Sequence, residues 1–171
     1  MSRHTIFFAI GFMLILAGCS SVPVQSSRPT PVLPDARYVL DGCHFSGKHV
    51  DQVLHSHIGS HGLLNGGYID ALVFKISDID EADFTPKPDS PNEHWFRGDQ
   101  LPPVLDAALR LVTEWHNEIP WFPTGAELRS SDVHVYPMDF YCCCGSVEPT
   151  MARLVFVRKA DKMVFYFGCQ P

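Results

Sequence analysis

The stretch Met151-Ala152-Arg153-Leu154-Val155-Phe156-Val157-Arg158-Lys159-Ala160-Asp161-Lys162-Met163-Val164-Phe165-Tyr166-Phe167-Gly168-Cys169 decides the fold. Two runs rich in branched and aromatic residues, Met151 to Lys159 and Lys162 to Cys169, flank a tight Ala160-Asp161 connection, which is the pattern of a β-hairpin. A two-residue loop pairs Phe156 with Phe165, Leu154 with Phe167 and Ala152 with Cys169. Side chains alternate along a strand, so Leu154, Phe156, Phe165, Phe167 and Cys169 then share one inward face. Ala-Asp is not a favoured dipeptide for such a loop, and a longer connection would keep or shift that register.

Outward from the hairpin, Val133 to Tyr136 and Met138 to Cys144 read as short strands parted by Pro137. The span Pro103 to Asn117 predicts the main helix. Val104, Leu105, Ala108, Leu111, Val112 and Trp115 form one apolar stripe, Pro102-Pro103 suits a first turn, and Pro120 stops it. Ile119-Pro120-Trp121-Phe122-Pro123 forms a stiff aromatic corner that caps the core beneath the helix end. Nearer the amino terminus, Tyr38-Val39-Leu40 predicts a short strand ended by the Asp41-Gly42 turn signal. Val50, Val53, Leu54 and Ile58 recur at helical spacing, which predicts a short helix from Gly47 to His57 closed by Gly59. Asn65-Gly66-Gly67 is a turn, Tyr68 to Ile76 a strand, and Ser77 to Leu101 a long acidic loop. The expectation is a single α+β domain: an antiparallel β-sheet, one main amphipathic helix packed across one face, and disulfides to stabilise it.

The first apolar run, Ile6 to Leu16, follows the basic start Arg3-His4 and ends in Leu16-Ala17-Gly18-Cys19. It has the length of a signal-peptide core and is too short to span a bilayer comfortably. With its small residues before Cys19, the segment resembles a bacterial lipoprotein signal peptide carrying a lipobox. The resemblance implies cleavage before Cys19, a diacylglyceryl thioether on its sulfur, and a further fatty acid such as palmitate on the new amino terminus. Ser20 stands where aspartate would mark inner-membrane retention, so the resemblance implies the outer membrane of a Gram-negative cell, facing the periplasm. The expected organisation is residues 1–18 as signal, 19–36 as acylated cysteine and Pro/Ser-rich tether, and 37–171 as the globular domain.

Charge narrows the partners. The chain carries a formal net charge of −6, and cleavage would remove Arg3 and no acidic residue. An acidic domain argues against nucleic acid and against a polybasic grip on anionic lipid, so the lipid membrane is met only through acylated Cys19. After Cys19 five cysteines remain: Cys43, Cys142, Cys143, Cys144 and Cys169. In an oxidising periplasm these read as disulfide candidates, two bridges and one leftover thiol, with connectivity open. Cys142 or Cys144 could reach Cys169 from an adjacent strand, while Cys143 would point the other way.

Catalytic signals are weak. A cysteine nucleophile needs a basic partner, for which His134 and His116 are the candidates, and no orienting group completes either. Asp41-Gly42-Cys43-His44 lacks the arrangement of the cell-wall endopeptidases. Glu114 and Glu118 lie a helical turn apart off the apolar stripe, which reads as a solvated face. No phosphate loop, dinucleotide fingerprint or Gly-x-Ser-x-Gly elbow occurs, so the expectation is a protein that is not an enzyme and takes no cofactor.

Two features suit binding instead. His55, His57 and His61, within a cluster that includes His44 and His49, offer imidazole nitrogens of the kind zinc, copper or nickel prefers, and carry the alternative of a periplasmic metal-binding protein. The acidic loop offers Asp78, Asp80, Glu81 and Asp83 beside Trp95 and Phe96, charges that steer and aromatics that hold. The favoured expectation is a protein-binding lipoprotein, by analogy an inhibitor or immunity protein that occludes a basic secreted cell-wall hydrolase. A structural component of an envelope complex is the third reading. Replacement of Cys19 by alanine is expected to abolish incorporation of labelled palmitate; labelling that survives the substitution would remove the anchoring site.

Overall fold

The computed structural model describes residues 35–61, 67–85, 94–142 and 149–170; Cys19, Cys143, Cys144 and the rest of the tether lie outside them. Its centre is a six-stranded sheet in the order β1-β2-β6-β5-β4-β3, antiparallel at every pairing. The strands are β1 (Val50–His61), β2 (Gly67–Ile76), β3 (Phe96–Arg97), β4 (Val133–Cys142), β5 (Pro149–Arg158) and β6 (Met163–Gln170). Helix α1 (Ala36–Gly42) precedes the sheet, while α2 (Pro103–Glu114) and α3 (Gly125–Leu128) lie between β3 and β4. The class is α+β, as expected.

The β5–β6 hairpin has the predicted register: Ala152 faces Cys169, Leu154 faces Phe167 and Phe156 faces Phe165. Its loop is longer than two residues. Lys159–Asp161 make a 3-10 turn and Lys162 takes a left-handed conformation at φ 59°, a four-residue connection that leaves the pairing unshifted. Lys162 is tied down by a 2.7 Å hydrogen bond from its Nζ to the Ser77 carbonyl.

Both faces of the sheet are covered: the main helix packs across one, as expected, and a second layer covers the other. On the first face, Ile69, Ala71, Val73, Leu154, Phe156, Phe165 and Phe167 pack under α2 and the segment that follows it. There Phe122 drops from the aromatic corner onto Phe156, Phe165 and Phe167, with ring centroids 5.9–6.2 Å apart. On the second face, Leu72, Phe74, Val155, Val157, Val164 and Tyr166 pack under α1, Phe45 and Phe84. Consecutive residues Leu154–Val157 are therefore all buried, one pair on each side.

Three local expectations are overturned, each for a physical reason. Tyr38-Val39-Leu40 is helical because Asp35 caps the helix, its carboxylate accepting the Tyr38 N–H at 2.6 Å, and because Val39 and Leu40 are buried by that turn. The predicted helix over Gly47–His57 is strand β1. Register shifts fall between Val50 and Gln52 and between Val53 and His55. Such irregularities add residues to a strand and break strict alternation, so apolar positions came to mimic a helical spacing. Pro137 does not divide β4: it sits at a further shift, between Pro137 and Asp139, and the flanking β3 pairs only with Val135 and His134. A missing N–H is tolerated there.

The short third helix is started by a side-chain cap. Thr124 and Glu127 form a capping box that starts α3, the Glu127 carboxylate taking the Thr124 N–H at 2.7 Å. Arg129 then locks α3 to α2 through Asp106 at 2.7 Å. Truncation of Phe156 to alanine is expected to cost about 3–5 kcal/mol of unfolding free energy in urea titration; a loss below about 1 kcal/mol would contradict its central position.

Candidate functional site

The segment after β2 crosses the second face as a strap from Ser77 to Thr85, with a 3-10 turn over Glu81–Phe84. Phe84 is its buried foot. The ring stacks on the His134 imidazole, centroids 3.8 Å apart and 18° from parallel, and touches Phe45 at 5.7 Å. Lys48 holds the strap from one side through Asp83 at 2.7 Å and Asp78 at 3.2 Å, and Lys159 holds it from the other through Glu81. The Asp80 N–H closes the turn onto the Asp83 carboxylate at 2.7 Å.

Three of the four acidic residues singled out in the sequence, Asp78, Glu81 and Asp83, therefore meet lysines of the same chain. The Ser77 hydroxyl and Lys48 hold the Asp78 carboxyl below the usual range, and Lys159 does the same for Glu81. Asp78, Asp80 and Glu81 are exposed and Asp83 is half-buried. Trp95 packs inward, its ring 4.9 Å from Phe45, 5.2 Å from Phe84 and 5.1 Å from Tyr136. Phe96, in β3, leans on the first core.

Phe96 also lines a recess that sequence reasoning missed. Its walls are His94 and Phe96, then Pro102, Val104 and Leu105 at the start of α2, and Tyr136, Pro137 and Phe140 on β4, enclosing about 150 Å³. The outer part of β4 runs past the short β3 and presents Phe140, 37% exposed, and Tyr141, 57% exposed. An exposed ring in the wall of an apolar recess, here Phe140, forms a surface able to bury a partner's side chain. The only signal in the sequence was Phe140-Tyr141 itself, read there as part of a strand.

A second missed cluster lies on the second face. Arg153 reaches the Tyr68 hydroxyl at 3.2 Å and the Tyr38 hydroxyl at 3.4 Å, joining α1, β2 and β5. In the sheet Asp70 faces Gly168 and Gly168 faces Arg153. Asp70 is buried, and burial raises its carboxyl above the ordinary value against the pull of Arg153 and His57. Gly168 is needed there because a Cβ would meet the Tyr166 hydroxyl at 2.6 Å. The signal was legible: a charge within each of two apolar strands, Asp70 and Arg153, on positions that face the same side of the sheet.

The histidines and cysteines disperse. His55 lies flat on Trp121, centroids 5.0 Å apart and 15° from parallel. His57 is half-buried, and its Nε2 has no hydrogen-bond partner among the described residues. The His61 side chain lies outside the description, and among the described residues no three ligating side chains converge on a metal position. No disulfide joins the described cysteines: Cys43, Cys142 and Cys169 are free thiols. The proposed approach of Cys142 to Cys169 fails because β5 lies between β4 and β6. Two strand spacings are about 10 Å, beyond the reach of a disulfide. Burial pushes the Cys43 thiol up to about 12 and the Cys169 thiol up to about 11, so neither supplies a thiolate nucleophile near neutral pH.

No family model matches the chain, and neither a curated protein nor a solved structure is significantly similar to it. The geometry alone carries the reading. Reaction with a thiol reagent such as Ellman's is expected to modify Cys142 in the native state and to leave Cys43 and Cys169 untouched until denaturant is added; native labelling of Cys43 would contradict its burial.

Proposed function

We propose that this chain is a lipid-anchored protein-binding module of the bacterial cell envelope, held to the outer membrane through Cys19 and facing the periplasm. The observation that carries the binding reading is the exposed ring of Phe140 in the wall of the recess it forms with Phe96, Tyr136 and Pro137; Tyr141 is exposed on the opposite face of the same strand. Interfaces draw most of their energy from a few aromatic anchors and the pockets they complement. This patch takes the anchoring role that Trp95 was expected to fill, since the Trp95 ring is engaged by three aromatic neighbours of its own chain.

The partner we favour is a basic secreted hydrolase that acts on the cell wall, with this protein as its inhibitor or immunity factor. Net negative charge favours encounter with a basic protein over long range, and an aromatic contact would then hold it. The exposed carboxylates of Asp78, Asp80 and Glu81 contribute to that field even where lysines pair with them. Occlusion of the partner's cleft is the mechanism, and it asks for no catalytic group here. Disulfides involving Cys143 or Cys144 would add rigidity to the end of β4 and belong to the same proposal.

The test is capture from periplasmic and secreted fractions, read by mass spectrometry, with the double variant Phe140→Ser, Tyr141→Ser beside the native chain. Native capture of one stoichiometric hydrolase, weakened roughly thirtyfold or more in the variant, is the expected result. Equal capture by both proteins, or none by either, would overturn the proposal.

A further inference from the structure

We infer that the strap from Ser77 to Thr85 is an acid-released cover, latched by the Phe84 ring stacked on the His134 imidazole. The inference stands apart from the choice of partner, because it concerns how the second face is closed.

The geometry singles out this latch. Phe84 is the buried residue of the strap's turn, and His134 beneath it is 5% exposed. The His134 Nδ1 is fully enclosed and finds no hydrogen-bond partner among the described residues. An enclosed ring nitrogen without an acceptor is tolerated as a bare lone pair, but it is costly once it carries a proton. The charges facing the ring are mixed: Lys159 and Arg97 oppose an imidazolium, while Glu81 and Asp132 favour one. Burial outweighs the favourable pair, and the imidazole titrates below its ordinary value.

The sign follows from linkage. When the Phe84 foot lifts, water reaches His134 and the ring moves back toward its ordinary value of 6.5. The latch is thus at full strength above that value and weakens as the pH falls below it, where opening takes up a proton. The remaining fastenings resist acid differently. Asp78 and Glu81 titrate below the usual carboxylate range, so their contacts with Lys48 and Lys159 persist while His134 charges. Asp83 and Lys48 hold the other side of the turn. Release is therefore a local hinge at the Phe84 foot and leaves the sheet intact. It uncovers Phe45, Trp95 and Tyr136, the layer on which Phe84 and its neighbours rest.

The test is amide hydrogen exchange of the full chain in detergent micelles at about pH 7.5 and about pH 5, corrected for intrinsic rates. The reporting amide is Thr85, bonded to the Ala82 carbonyl across the Phe84 foot. Its protection is expected to fall about tenfold on acidification, while the β6 amides keep theirs. In His134→Phe, which keeps a stacked ring without a titrating group, the strap is expected to hold its protection at both values. His134→Gln serves if the larger ring does not fit. Protection that is independent of pH in the native chain, or an equal acid loss in both histidine variants, would overturn the inference.

Discussion

The β5–β6 hairpin is apolar on both faces, and the rest of the structure answers that constraint. A sheet with one wet face would need a single helix; this one leaves Leu154 and Phe156 on one side and Val155 and Val157 on the other, all removed from water. Burial of each such side chain is worth about 1.5–3 kcal/mol, so neither face could be left open. Helix α2 with Phe122 closes the first, and α1, Phe45 and Phe84 close the second. The two covers are unequal. The first is a regular helix backed by a capping box and an Arg129–Asp106 pair. The second is assembled from a seven-residue helix and a strap, whose hold depends on a few rings and ion pairs.

How much of this was legible depended on whether local pattern and tertiary demand agreed. They agreed for the hairpin and β2, whose runs of branched and aromatic residues suit strands buried on both faces, and for α2, whose apolar stripe keeps the helical period behind a proline first turn. They disagreed in β1. Its register shifts moved Val53 and Leu54 off the alternation of a strand and made their spacing helical. They disagreed again at Tyr38-Val39-Leu40, whose side chains favour a strand while Asp35 and the open second face favour a turn of helix. The continuous apolar character of β5 and β6 already argued for cover on both sides, but nothing local to those strands named the segment that would supply it.

The candidate site shows the same division. Acidic residues and aromatics between Ser77 and Phe96 were visible as residue types, but their partners were not. Lys48 and Lys159 reach the strap from 30 and 78 residues away in sequence, and no periodicity announces such pairs. Phe140 and Tyr141 became notable only once β3 proved two residues long, leaving the outer part of β4 to face solvent. Asp70 and Arg153 illustrate the opposite case: a charge inside an apolar strand is visible in the sequence itself, and the register brings the two to either side of Gly168.

The strand order carries a consequence for how the chain becomes a protein. β6 is inserted between β2 and β5, pairing Tyr68 with Gln170 and Ala152 with Cys169. The early β1–β2 hairpin thus cannot join the later strands until Met163–Gln170 is available to bridge them. Contacts that span so much sequence form late, because the intervening chain must first be brought together. A nascent or threading chain lacking its last ten residues has two separate sheet fragments and no closed core. Completion of both buried faces therefore waits on β6, the strand that comes last in sequence among the six.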